Sequence, residues 1–317
     1  MERIQPQRPI MFGEVLFDLF PDGSVVLGGA PFNVAWHLQA FGLNPLLISR
    51  VGSDALGRQI RTAMNEWGMD CSGLQLDSAH KTGIVDITFT AGEPSFDIAN
   101  HRAFDFIDRY ALPPLRTDGL LYHGTLALRN PVSRDTLLEL RQHSLGCAFV
   151  DVNLRPPWWN RELVLEQLAG ACVIKLNHAE LEQLMPGPTG LEARAATLLR
   201  EMGAQQLVVT SGKEGASLYQ ADGSVRQVTP EPASSLVDTV GAAFSAILLL
   251  GQIRGWDLEA SLERAQSFAS AIVGMRGAIV RNTGFYRQFI DRWGVDIKPG
   301  VSVQPGKRHL SDVVEAK

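Results

Sequence analysis

The residues with the most evident chemistry lie in short polar stretches beside glycines. Gly28-Gly-Ala-Pro-Phe-Asn33 joins two glycines, which let backbone approach a ligand closely, to Pro31, suited to a first helical turn. Asn33 follows, with an amide that both donates and accepts. Asp18 ends the first strand-like run, where its carboxylate can accept hydrogen bonds from sugar hydroxyls. Asp151-Val-Asn-Leu-Arg155 follows another strand, so Asp151, Asn153 and Arg155 can face a cleft at its end. Ligands of open α/β sheets bind beyond the carboxyl ends of strands. Taken singly, these stretches also read as a capped turn, a surface aspartate and a salt-bridged loop.

A second group suits phosphate. Lys175-Leu-Asn-His-Ala-Glu180 carries Asn177 and Glu180 at the spacing of a capping box. The functional reading sets Asn177 near nucleotide phosphates and Glu180 near water bound to Mg2+. Val208-Val-Thr-Ser-Gly-Lys-Glu-Gly215 is a strand entering a glycine-rich turn, whose N–H groups can bind phosphate. Its alternative is a plain hairpin turn. Asp238-Thr-Val-Gly-Ala-Ala-Phe-Ser-Ala246 opens an apolar helix, and free N–H groups at a helix start make an anion site. Gly241 and Ala242 leave that site open. Gly52-Ser-Asp-Ala-Leu-Gly57 reads as a turn with Asp54 as helix cap.

These stretches need a scaffold that ends strands and starts helices side by side. Strand-like runs at Pro9–Phe20, Pro45–Ser49, Gly119–His123, Cys147–Val152, Cys172–Lys175 and Gln206–Thr210 alternate with helical patterns, among them 32–41, 55–68 and 257–293. That alternation predicts an α/β fold with a mostly parallel sheet. Two segments break it. Asp18–Gly28 is short, polar and glycine-rich. Thr82–Phe106 alternates apolar and polar residues, as half-solvated strands do. Together they predict a small β flap on the α/β core.

Composition excludes several classes. Net charge is −5, without the basic footprint of a nucleic-acid binder. The apolar run Ala242–Gly251 falls short of the ~20 residues that span a bilayer, and Met1–Pro9 lacks the apolar core of a signal peptide. The cysteines Cys71, Cys147 and Cys172 form no C-x-x-C pair, which together predicts a cytoplasmic protein with reduced thiols. A dinucleotide-dependent oxidoreductase would show G-x-G-x-x-G after the first strand, where this chain has Gly13-Glu-Val-Leu-Phe-Asp18.

The order of the motifs resembles that of the ribokinase-like (PfkB) carbohydrate kinases. Gly28–Asn33 resembles their first signature, Asn177 to Glu180 their N-x-x-E motif, and Asp238–Ala242 the start of their second signature. Gly13-Glu14 with Asp18, and Asp151–Arg155, look like the fructokinase branch. The resemblance spans roughly residues 10–295. It implies one three-layer ribokinase-like domain over 1–317, with lid segments at about 14–30 and 82–108. It implies a sugar held by Asp18, Gly28, Gly29, Asn33 and Arg155, with fructose the first candidate. It implies ATP over Asn177, Thr210, Gly212, Gly215 and Ser270, and Mg2+ bound through phosphates and waters near Glu180. A monovalent cation such as K+ at Asp238, and a homodimer through the lid, belong to the same expectation.

The resemblance fails at one place. The family's second signature reads D-T-x-G-A-G-D, whereas this chain reads Asp238-Thr-Val-Gly-Ala-Ala-Phe244. The best alignment leaves a gap between Ala242 and Ala243, where the family's catalytic base should stand. The anion hole is then expected from Gly241, Ala242 and Ala243. The chain is accordingly a kinase served by another acid, or a sugar- and nucleotide-binding relative with impaired turnover.

Overall fold

The computed structural model describes residues 8–90, 93–115, 119–143, 148–229, 241–273, 275 and 277–297. The strands are β1 (Ile10–Phe12), β2 (Leu16–Leu19), β3 (Val25–Gly28), β4 (Leu46–Gly52), β5 (Leu74–Asp77), β6 (Gly83–Thr90), β7 (Glu93–Ile98), β8 (Leu121–His123), β9 (Ala148–Asp151), β10 (Val173–Asn177), β11 (Gln206–Thr210), β12 (Ala216–Gln220) and β13 (Val225–Val228). The helices are α1 (Ala30–Ala40), α2 (Ala55–Glu66), α3 (Pro131–His143), α4 (Arg161–Leu168), α5 (His178–Leu184), α6 (Leu191–Met202), α7 (Gly241–Arg254), α8 (Leu258–Ile272) and α9 (Thr283–Trp293).

The main sheet runs in the order β13-β12-β11-β10-β9-β8-β1-β4-β5. It is parallel except for the β11-β12-β13 meander. After β1 the chain adds strands on one side through β4 and β5, then on the other through β8 to β11. The order therefore reverses between β1 and β8, which opens a crevice at their carboxyl ends.

Strand alternation sorts side chains onto two faces. Tyr122, Phe149, Val173 and Val208 pack with α1, α7, α8 and α9. Their neighbours Val150, Ile174, Leu176, Leu207 and Val209 pack with α4, α5 and α6. Helix α7 is apolar nearly all round because α1 and α8 both pack on it; Ala242 through Gly251 are buried. A helix without a polar face is stable only inside the protein.

The strand-like run Pro9–Phe20 is broken, contrary to expectation. Gly13, with φ +142°, bends the chain out of the main sheet, and an added Cβ there would lie 2.7 Å from Pro31 Cγ. β2 then joins a second sheet, ordered β3-β2-β6-β7. This sheet carries both segments that broke the sequence rhythm, with Leu16, Val85, Ile87 and Ile98 packed inward beside Phe104 and Leu126. Residues 257–293 form two helices rather than one continuous helical stretch. The chain leaves α8 at Val273, and α9 restarts where the Asn282 side chain accepts from the Gly284 N–H.

Asp54 caps α2 as expected, accepting from the Gly57 N–H at 2.8 Å, and also receives the Thr82 N–H and hydroxyl at 2.8 and 2.7 Å. One carboxylate thus anchors both a core helix and the entry to β6. No helix among the described residues is long and apolar enough to cross a membrane.

Candidate active site

The strand ends and loops enclose a cleft of about 1060 Å³ between the main sheet, the second sheet and the heads of α1 and α7. Each wall follows from local structure. β1 ends at Phe12, and the turn at Gly13 delivers Glu14. The β2–β3 hairpin presents Asp18. Gly29 turns into α1 with φ +107°, a conformation natural to glycine, and a Cβ there would strike the Glu14 carbonyl oxygen at 2.6 Å. Glycine at 29 therefore lets α1 start directly against the strand end and brings Asn33 to the cleft.

Asp18, Gly29, Asn33 and Arg155 all line this cleft. Gly28 does not, but a Cβ on it would lie 2.9 Å from Asp18 Oδ2, so its bareness leaves room for that carboxylate. Burial raises the Asp18 carboxyl to about 6, opposed by the Arg155 guanidinium. Arg155 also lies over the Phe96 ring at 4.8 Å, which ties it to β7 of the second sheet.

Asn177, Glu180, Thr210, Gly212, Gly215 and Ser270 line the other end. Asn177 and Thr210 are register partners on β10 and β11. Asn177 and Glu180 form the expected capping box, and the Glu180 carboxylate accepts from the Leu154 and Asn177 N–H groups at 3.0 and 2.8 Å. Burial raises its carboxyl to about 7 against those bonds. With both oxygens engaged, Glu180 suits a contact through water to a phosphate-bound cation. The described residues hold no cluster of three metal-ligating side chains.

At the head of α7, Gly241 and Ala242 line the cleft and Ala243 does not, being fully buried. Phe244 reaches the cleft wall, and the first turn of the helix carries no acid. Asp238 lies outside the described residues. Beneath this turn sits a cluster that reading the motifs one by one missed. Lys175 Nζ donates to Asp151 Oδ1 at 2.7 Å, while Tyr122 and Ser245 donate to Oδ2 at 3.0 and 2.5 Å. Tyr122, Asp151 and Lys175 share the α7-facing side of adjacent strands, and Asp151 and Lys175 are register partners. A Cβ on Gly241 would lie 3.5 Å from Lys175 Nζ, so the ammonium sits directly under the helix start. The signal for Lys175 was a lysine inside an apolar strand; the signal for Glu14 was an acid inside the apolar run Pro9–Phe20.

Comparison with known proteins agrees with this architecture. Residues 7–283 match the model of the pfkB family carbohydrate kinases. The chain is 29% identical to aminoimidazole riboside kinase of Salmonella typhimurium over 85% of its length and 90% of the relative's. It is 30% identical to a fructokinase of Escherichia coli over 76% of its length and 83% of the relative's. The structure of aminoimidazole riboside kinase from Salmonella enterica, complexed with aminoimidazole riboside and an ATP analog, superposes with a TM-score of 0.76 at 25% identity, covering 86% of this chain and 95% of that one. A double-mutant fructokinase from Vibrio cholerae in a fructose-, ADP- and potassium-bound form superposes at 0.77 with 23% identity, covering 89% of this chain and 98% of that one; at that identity the likeness speaks to the fold alone.

Proposed function

The chain belongs to the pfkB family of carbohydrate kinases, and from that premise we propose that its cleft binds a small sugar and ATP and transfers the γ-phosphoryl group to a hydroxymethyl oxygen. The observation that carries this reading is the continuity of the cleft. A polar wall suited to hydroxyls, made by Asp18, Asn33 and Arg155, leads past the head of α7 to the loops at Asn177, Thr210 and Gly212. Phosphoryl transfer depends mainly on positioning and electrostatic stabilisation, and both are available here. The α7 N–H groups face the site where negative charge builds up, with the Lys175 ammonium beneath them. Arg155 stands on the sugar side of the same space. Mg2+, when bound, supplies charge neutralisation between the phosphates, and Glu180 would orient a water of its shell. A second copy pairing through the small sheet, and a monovalent cation at Asp238, belong to the same proposal.

Fructose is the first substrate to test, given the fructokinase relatives. Ribose, a ketodeoxysugar acid and a nucleoside are the others in the panel. Calorimetry should show saturable binding of one of these sugars and of ATP. Absence of binding by every panel member and by ATP would sink the reading. Asp18→Ala should weaken sugar binding by about 2 kcal/mol, as loss of a charged hydrogen bond does, roughly a 30-fold rise in Kd. Because the carboxylate is the accepting form, sugar affinity should also fall as the pH drops below about 6. Unchanged affinity in both measurements would remove Asp18 from the sugar site.

A second reading rests on the missing acid in the first turn of α7. The chain would then bind sugar and nucleotide with little turnover, and sugar-dependent ADP formation measured beside the binding distinguishes the two.

A further inference from the structure

If the chain turns over, some group must take the proton of the attacking hydroxyl. Among the described residues, four carboxylates line the cleft: Glu14, Asp18, Asp151 and Glu180. Glu180 is held by two backbone N–H groups at the nucleotide end. Both oxygens of Asp151 are occupied, by an ammonium on one side and two hydroxyls on the other, which suits a fixed anchor rather than a proton acceptor. Asp18 sits on the small sheet, with Arg155 as its charged neighbour.

Glu14 differs from these three. It is 2% exposed, and its Oε2 has no hydrogen-bond partner. A buried polar atom without a partner is rare and costly in a native protein. The carboxylate is otherwise held by its own N–H and the Ala30 N–H at the head of α1, where Gly29 provides no side-chain cap. Its field reaches Tyr122, which hydrogen-bonds Asp151 beside Ser245 of α7. Glu14 thus lies beside the head of α1, in the cleft that the head of α7 also lines, and Asn33 Oδ1, also buried and unpartnered, belongs to the same α1 head. Two acceptors without donors in one cleft are the complement of a polyhydroxylated ligand.

From this convergence, and resting on the kinase reading above, we propose that Glu14 is the proton acceptor of the phosphoryl transfer in this chain, in place of the acid that the first turn of α7 lacks. The hydroxymethyl oxygen forms a bond to the γ-phosphorus of ATP as the bond from that phosphorus to the β,γ-bridging oxygen breaks. The hydroxyl proton passes to Glu14 Oε2, and ADP leaves with the bridging electrons. Burial raises the Glu14 carboxyl to about 7, opposed by the two N–H groups and by the Arg129 and Arg155 guanidinium groups. A dry carboxylate of that basicity matches a general base working near neutrality. The groups facing it from neighbouring elements are Tyr122 on β8, Arg129 after β8 and Arg155 after β9.

The test uses the full chain with ATP, Mg2+ and the sugar that binds. E14Q keeps a carbonyl oxygen to accept the Ala30 N–H. It should lower kcat by about 100-fold or more, the low end of a general base's contribution, with sugar and ATP Kd changed less than about threefold. The unmodified chain should show kcat rising as pH increases through about 7, a readout that needs no variant. Placing Gly-Asp after Ala242 should restore an acid at α7, and E14Q should then cost less than about 10-fold. Equal kcat for E14Q and the unmodified chain would overturn the assignment, as would a flat pH profile or the same E14Q penalty in both backgrounds. Binding of sugar and ATP without any turnover overturns it too, while leaving the binding reading intact. Failure to bind either ligand overturns both.

Discussion

Replacing Lys175 with Met is expected to lower the unfolding free energy by about 3–5 kcal/mol, the usual cost of removing one partner from a buried ion pair. Lys175 and Asp151 have side chains 6% and 8% exposed and meet at 2.7 Å. Methionine keeps the packing against the α7 side of the sheet, but the Asp151 carboxylate is left with two hydroxyl donors and no cation. Deleting both charges is predicted to be milder: Lys175→Met with Asp151→Asn should recover at least half of the loss, because no uncompensated charge remains buried. Urea unfolding followed by tryptophan fluorescence measures both. A single variant within about 1 kcal/mol of the unmodified chain would show that the strand ends are held by packing alone. The functional consequence follows from position. The pair fixes the register-matched ends of β9 and β10 under the head of α7, so the loops carrying Arg155 and Asn177 should loosen together when it is broken.

A loss of similar size is expected for Arg129→Met. Arg129 donates to both oxygens of Asp105, at 2.7 and 2.8 Å, and to the Ala99 carbonyl at 2.7 Å. Its guanidinium also lies over Phe104 and Trp158, at 5.1 and 4.5 Å from the ring centroids. The side chains of this pair are 4% and 1% exposed, so the variant strands a buried carboxylate, again about 3–5 kcal/mol, with the stacking an addition of about 0.5–1 kcal/mol or more. The place of the damage distinguishes it from Lys175→Met. Arg129 links the residue after β7 to the loop after β9, so hydrogen exchange should accelerate first across 83–98 and only then in the main sheet. Uniform acceleration over the whole chain would show that the small sheet is not a separable unit.

The alternation of strand and helix patterns, the two segments that break it and the caps at Asp54 and Asn177 were legible in the chain itself. They depend on neighbours a few residues apart, and the periods of 2 and 3.6 record which side chains face inward. The polar stretches at strand ends were legible too, because in a parallel sheet strand ends converge at one edge of the molecule. The split of Pro9–Phe20 was not. Apolar residues flank Gly13 on both sides, and only the folded chain shows that it takes φ +142° with Pro31 packed against it, so that the strand breaks there. The division of 257–293 into two helices, α8 and α9, was likewise not drawn from the sequence.

By itself the sequence determined the family's motif order and the absence of an acid after Ala242, since both are matters of which residue follows which. Only the tertiary structure decided what stands around that absence. Ala243 turns into the core and Phe244 reaches the cleft because α7 packs against α1 and α8, with Ala242 to Gly251 buried. Tyr122, Asp151, Lys175 and Ser245 are far apart in the chain. They meet because three neighbouring strands present one face to one helix, and the register of that sheet is set by its hydrogen bonds and by burial on both faces. The free oxygen of Glu14 belongs to the same class of fact. No local pattern reveals that a buried carboxylate lacks a donor, because its surroundings are assembled from α1, β8 and the segments carrying Arg129 and Arg155 only when the chain has folded.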